Sequence, residues 1–529
     1  MALPHLFPSL IQGPVQVVLI AGTGLSAPHC PTVDVLKPKL DSVAMDLGVA
    51  PNGDFYELAE AILVSLSATG KSDSECRLSL AEDLGMLDDR CWFGDIGLPL
   101  SGNTPRHRVL ARFVVEERLR AIVSLNWDAL FECALDSVGL TETGTPSRPW
   151  KMTKYARVVD KTHMPLLAQA NVFPVIKPHG CVRALEEMRN QIRSGGAIGS
   201  VTFKLSANEL NNITDDQQNV VNVSVKSYIS ECPLIGIGWR ATEDYLRAAI
   251  VEIAQQVQRT EPDSFTLIDL EWDNNHSEIA AAYGKKDNEA FIKVRKTHNP
   301  TTDCLLQWLQ ARYALARMIE MIPTAEQPPL QELLDDVDDP EGDHPLLRWA
   351  DCWLPIWVRL CWRVGAMRGV DPQTNQVIGP FDIPMSPRDI HIPLTGMSVE
   401  RRDLHSAAKL LSVLSKCLGR FRFDLFPGGI FETKKNRLYL PLPGWRADVP
   451  PADLAALKPL IESLKGLGYV KEIRLVWLNN KDDVVDPSIK QELEARFRSL
   501  MPLVGFAHGK SVAWVGLDEI VEIDDAGLA

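Results

Sequence analysis

Residues 15–28 read Val15-Gln16-Val17-Val18-Leu19-Ile20-Ala21-Gly22-Thr23-Gly24-Leu25-Ser26-Ala27-Pro28. An apolar, β-branched run ends abruptly in two glycines one residue apart, and the spacing Gly22-x-Gly24-x-x-Ala27 matches the G-x-G-x-x-[GA] fingerprint of dinucleotide-binding turns. Glycines there let the chain turn sharply and bring its backbone close to a pyrophosphate, whose charge is held by amides at the next helix start. A purely steric βα turn uses the same two glycines. Working outward, further short apolar runs at Ala121–Ser124, Phe173–Ile176, Pro233–Ile237, Phe265–Leu270 and Phe291–Lys296 alternate with longer helical stretches. That alternation predicts an α/β fold, a Rossmann-like parallel sheet with helices on both faces. In such sheets ligands sit beyond the carboxyl ends of the strands, so chemistry is sought at the polar tips of these runs.

Three further tips carry reactive residue types. Ser124-Leu125-Asn126-Trp127-Asp128 closes one strand ahead of the amphipathic segment Ala129–Leu135; Asn126 and Asp128 are candidate site residues, and equally candidate helix caps. Lys177-Pro178-His179-Gly180 follows another strand. Pro178 fixes the approach, and Gly180 permits a turn that presents the His179 imidazole to a cleft; a histidine in such a place also serves structure alone. The fourth tip is Gly236-Ile237-Gly238-Trp239, followed by Thr242-Glu243-Asp244. Its glycines are expected to allow close backbone approach to a ligand, while Thr242 and Asp244 are possible caps.

Order and type together resemble one family, the sirtuin-like (SIR2) domains, over about residues 10–312. Gly22-Thr23-Gly24-Leu25-Ser26 resembles the G-A-G-x-S loop, Ser124–Asp128 resembles T-Q-N-I-D, Lys177–Gly180 resembles the catalytic H-G, and Gly236–Trp239 resembles the strand end that contacts the cofactor ribose. Two family features are missing. Pro31-Thr32-Val33-Asp34 lacks the arginine of P-D-F-R, and the two C-x-x-C pairs of the sirtuin zinc module are absent, Cys181 and Cys232 being isolated. In both respects the chain is similar to the divergent, zinc-free SIR2 domains of bacterial anti-phage defence and abortive infection.

The resemblance implies an NAD⁺ hydrolase, forming nicotinamide and ADP-ribose with NAD⁺ as substrate and no zinc. Ala21, Gly22, Thr23, Gly24 and Ser26 would hold the pyrophosphate and ribose, together with Gly236, Gly238 and Trp239. Asn126 would position water and the nicotinamide ribose, Asp128 the carboxamide side, and His179 would accept a proton, as a histidine near its ordinary pKa of about 6.5 does at neutral pH. The alternatives are an NAD-dependent protein deacylase or ADP-ribosyltransferase, and a non-catalytic sensor of NAD⁺ or ADP-ribose.

Composition bounds these readings. The 529 residues exceed one ordinary core and call for two or three domains. A formal charge of −14 does not favour direct nucleic-acid binding. The amino-terminal residues lack the pattern of a secretory signal, and no apolar run is long enough to span a bilayer, so a cytoplasmic protein is expected. The ten cysteines are scattered singly, without a C-x-x-C pair, and are expected to be reduced thiols.

The boundaries expected are a SIR2-like catalytic domain at 1–322, an acidic linker at 323–344 and an α+β domain at 345–529. Asp335–Asp343 is too acidic to bury, and Pro340 and Glu341 fall where a calcium loop needs a ligand and a glycine. In the last domain Trp349, Trp353 and Trp357 recur on one helix face, as a core stripe or an aromatic platform. A helix near Arg402–Leu418 and strands around Arg437–Leu442, Glu472–Leu478 and Ser511–Leu517 complete it. A NAD⁺-depleting enzyme needs restraint, so this domain is assigned regulation, homo-oligomerisation or contact with a partner defence protein.

Overall fold

A computed structural model describes residues 16–93, 105–142, 154–296 and 301–321, with short interruptions, and beyond them Gln331, Leu334 and strands between 369 and 515. By backbone contacts the chain divides into two compact units, one of residues 1–147 and 151–306, the other of 148–150 and 307–529.

The first unit is an α/β fold around a seven-stranded, wholly parallel sheet. Its strands are β1 (Val17–Ala21), β2 (Leu119–Ser124), β3 (Lys154–Val158), β4 (Val172–Ile176), β5 (Leu234–Ile237), β6 (Phe265–Asp269) and β7 (Phe291–Lys293). They lie in the order β3-β4-β2-β1-β5-β6-β7. All residues of β1, β5 and β6 are buried, which is why these segments read as continuous apolar runs rather than alternating ones. Pairing is in step: Ala21 lies beside Ser124 of β2 and Ile237 of β5, so three polar tips begin at one level of the sheet. After β1 the chain adds β2 beside it, crosses to the edge as β3 and returns between them as β4, then passes to the other flank as β5, β6 and β7. The crevice at β1, where direction reverses, is where doubly wound sheets take ligands.

Six of these strands coincide with the apolar runs of the sequence. β3 does not: Lys154 and Arg157, each half-buried at the sheet edge, break its apolar pattern. Arg157 there pairs with Glu142 at 3.2 Å and Glu187 at 2.9 Å.

Helices cover both faces. Val18 and Ile20 of β1, Val123 of β2 and Leu234 of β5 share a core with Leu246 and Ile250 of the helix Asp244–Val257. A second core, of Leu36, Leu40, Leu58 and Ile62 with Trp127 and Val182, joins the helices Val33–Asp46 and Phe55–Ser67. The latter starts at a capping box in which Asp54 accepts from Tyr56 and Glu57 amides while Glu57 accepts from Asp54. No helix among the described residues is long and apolar enough to cross a membrane.

In the second unit five strands, Phe423–Phe426, Gly429–Glu432, Arg437–Pro441, Glu472–Val476 and Ser511–Val515, form one mixed sheet in chain order. The first three are antiparallel and the last two join in parallel. The last three strands match the sequence reading; the first hairpin escaped it. The Trp349–Trp357 stripe and the helix at Arg402–Leu418 lie outside the described residues, as does the linker at 323–344 except for Gln331 and Leu334.

Candidate functional site

Four strand ends surround a cavity of about 440 Å³, within the range of small-molecule sites. Of the residues expected to form a site, Gly22, Thr23, Ser26, Asn126, Asp128, His179, Gly238 and Trp239 line it. Ala21, Gly24 and Gly236 do not.

The glycines have a steric reason that the motif reading did not contain. A Cβ on Gly22 would lie 2.2 Å from Gly238 O, and one on Gly238 would lie 2.5 Å from Gly24 Cα. Gly238 also holds φ +59, which favours glycine. The tips after β1 and β5 therefore press backbone against backbone, and Gly24 N donates to Gly238 O at 3.1 Å. Gly236 serves packing as well: a Cβ there would meet Leu267 Cδ1 at 2.9 Å and Trp239 Cε3 at 3.3 Å. The helix after the loop is a single turn, Thr23–Ser26, and the amides of Gly22, Gly24 and Leu25 are taken by Ile237, Gly238 and Gly22 carbonyls. Little of a long helix's dipole is on offer to a pyrophosphate.

Arg106, which no sequence motif marked, holds this loop from behind. Its Nη1 donates to Gly24 O at 3.0 Å, to Leu25 O at 3.1 Å and to Ala27 O, while Asp303 pairs with Nε at 2.8 Å and Nη2 at 2.9 Å. A planar guanidinium satisfied on both sides is a rigid brace.

Asn126 and Asp128 knit the β1 and β2 tips together. Asn126 Nδ2 donates to Gly22 O and to Ser26 Oγ, both at 2.9 Å, and Ser26 Oγ donates to Asp128 Oδ2 at 2.7 Å. Since Gly22 O only accepts, the amide orientation follows. Asn126 Oδ1 is then a buried acceptor with no partner among the described residues. Orphaned buried acceptors are costly, and one on a cavity wall points to a donor supplied from outside. Asp128 Oδ1 accepts from Leu130 N at 3.0 Å, so the residue caps the helix Leu130–Ser137 and lines the cavity at once. Burial pushes its carboxyl upward, against the pull of Lys177 and Ser26.

Beneath the cavity, Lys177 and Glu132 form a fully buried ion pair at 3.1 Å, and Lys177 Nζ also donates to Asp128 O. Glu132 carries no motif, and only its place on an otherwise apolar helix hints at a buried partner.

His179 is 5% exposed and lies where expected, on the cavity wall. Gly180 turns at φ +87, and a Cβ there would strike Thr202 O at 2.1 Å. His179 Nδ1 lies 3.0 Å from Leu125 O, which can only accept, so Nδ1 carries the proton and Nε2 the lone pair. Nε2 is engaged by the Tyr245 hydroxyl at 3.2 Å, a contact absent from the sequence reading. Burial lowers the His179 pKa, offset in part by the charge of Glu243. Tyr245 is pushed well above the ordinary tyrosine range by burial first and by Glu243 second.

On the β5 side, Glu243 N-caps the helix Asp244–Val257 without a side-chain bond, correcting the caps expected at Thr242 and Asp244. Glu243 Oε2 instead accepts from Trp239 Nε1 at 2.8 Å. Thr242, Glu243 and the exposed Arg240 all line the cavity. Arg240 brings a guanidinium to a lining that also holds the carboxylates of Asp54, Asp128 and Glu243.

No protein-family model matches the chain, and no curated protein sequence is similar to it.

Proposed function

We propose that the first unit is a SIR2-like NAD⁺ hydrolase that releases nicotinamide and ADP-ribose. The observation carrying this reading is the meeting of Ser26, Asn126, Asp128 and His179, from three separate strand ends, on one cavity wall with Asn126 Oδ1 buried and unpartnered. The unspent amide oxygen awaits a donor from a ligand, and the neutral imidazole adds a proton acceptor that binding alone does not require.

Nicotinamide in NAD⁺ is already a cationic leaving group, so breaking its bond to ribose requires positioning and charge stabilisation more than a strong nucleophile. The bond's electron pair leaves with nicotinamide, water adds to the ribose carbon, and one proton is released. Asn126 Oδ1 accepts from a ribose hydroxyl or the water, and Asp128 takes the carboxamide side. His179 Nε2 receives the proton once the Tyr245 hydroxyl rotates off it. Arg240 offers charge to the pyrophosphate that the short Thr23–Ser26 turn does not supply.

One observation favours a second reading. Both His179 nitrogens already have protein partners, as they would in a sensor that binds NAD⁺ or ADP-ribose without cleaving it. Adding NAD⁺ to the purified chain and following nicotinamide separates the two: the hydrolase turns over many equivalents, whereas a sensor binds and melts higher without product.

A further inference from the structure

The loop that leaves the Gly22–Ser26 turn ends at Cys30, and the short turn Arg90–Phe93 carries Cys91. Although 61 residues apart, they meet: Cys30 Sγ donates to the backbone carbonyl of Cys91 at 3.3 Å, which brings the two side chains into each other's neighbourhood. Asp89 lies against Cys91, its Oδ1 accepting from Cys91 N at 3.1 Å. Asp89 is exposed, Cys91 half-buried and Cys30 buried on the cavity wall. A carboxylate and two thiols of increasing burial are thus grouped beside the cavity. Other described cysteines are disposed differently, Cys133 donating to Phe93 O at 2.8 Å and Cys181 to Glu132 Oε1 at 3.4 Å.

We propose that Cys91 and Cys30 are a peroxide-reactive dithiol that closes to a disulfide in the cavity wall. This site stands on its own geometry and does not depend on the hydrolase reading. Asp89 takes the Cys91 proton as the sulfur attacks one oxygen of a hydroperoxide, and passes it to the other oxygen as that departs. The O–O bond breaks, alcohol or water leaves, and Cys91 becomes a sulfenic acid. Cys30 then attacks the Cys91 sulfur, the S–O bond breaks, and the departing hydroxide leaves as water with the Cys30 proton. In sum, two thiols and one hydroperoxide give a disulfide, an alcohol and water. Cys91 is the more exposed of the two and meets the peroxide first, so Cys91 attacks and the buried Cys30 resolves. Closure would tie the wall formed by Cys30, Pro31 and Thr32 to the turn bearing Trp92, which lines the same cavity.

The test uses the reduced full-length chain, treated with hydrogen peroxide, alkylated and mapped by peptide mass spectrometry. Expected is joint loss of free Cys30 and Cys91 as one cross-linked peptide pair, reversed by dithiothreitol, while Cys76 and Cys232 stay alkylatable. Cys91→Ser should keep Cys30 alkylatable, Cys30→Ser should leave a dimedone-trappable sulfenic acid at Cys91, and Asp89→Asn should slow closure by about threefold to tenfold. Wild-type mapping alone decides the proposal without any variant. Cys91 consumed with Cys30 still free, or neither oxidised before Cys76, overturns it.

Discussion

Replacing Asn126 by Ala removes its donations to Gly22 O and Ser26 Oγ and leaves Gly22 O buried without that donor. The cost should be about 1–3 kcal/mol of stability, with NAD⁺ cleavage lowered at least about a hundredfold. A thermal melt and a nicotinamide assay read the two effects separately, and near wild-type turnover removes Asn126 from the mechanism. At His179 the more informative change is Tyr245→Phe. The hydroxyl that donates to Nε2 stabilises the neutral ring, so its loss should raise the His179 pKa. The acidic limb of activity should then move to higher pH, by about half a unit to one unit. An NMR titration of the imidazole checks the same shift without reference to activity; an unchanged value would show that Tyr245 does not hold the ring. His179 itself was legible in the sequence, because Pro178 and Gly180 bracket it at a strand end. Tyr245 was not, since nothing in Asp244-Tyr245-Leu246 announces a partner 66 residues away.

At the scale of elements, the strand tips were readable because their residue types are restricted for steric reasons. Gly22 and Gly238 sit where the β1 and β5 tips touch, and no larger residue fits either place. Gly22→Ala should therefore cost roughly 2–4 kcal/mol, the range for forced backbone displacement at a strained site. It should also abolish any rise in melting temperature with NAD⁺; an unperturbed melting temperature would refute the loop-on-loop packing. What the sequence concealed were the elements whose pattern reflects partners far along the chain. β3 carries Lys154 and Arg157 because it is an edge, so its alternation reads as polar. Arg106 lies in no motif, yet it braces the Gly24, Leu25 and Ala27 carbonyls while pairing with Asp303, 197 residues away. The glycine motif was read correctly as a turn and incompletely as a ligand cradle, because spacing cannot distinguish a backbone that approaches a phosphate from one that approaches another loop.

Across the whole molecule, buried histidines set a pH dependence of stability. His107 and His179 are both held below the ordinary value, first of all by burial. In the unfolded chain each takes a proton near pH 6.5, whereas the folded chain takes it only at lower pH. Stability is therefore full above about 6.5 and falls as the pH drops, by roughly 1.4 kcal/mol per pH unit per histidine until the folded pKa is reached. Melting temperature measured from pH 7.5 downward should decline from about 6.5. A rising melting temperature over that range would mean that neither ring is buried neutral. The parallel sheet of the first unit was legible in full apart from its edge strand, since strands buried on both faces announce themselves as apolar runs. In the second unit three of the five strands of the mixed sheet were legible, and nothing of the hairpin that opens it. The measurement that bears most directly on function is incubation of the purified full-length chain with NAD⁺, with nicotinamide and ADP-ribose followed by chromatography. Equimolar release of both, over many turnovers and lost in His179→Ala of unchanged melting behaviour, is the expected result. Ligand-dependent stabilisation without either product, in the wild-type chain at neutral pH, would contradict catalysis at this site.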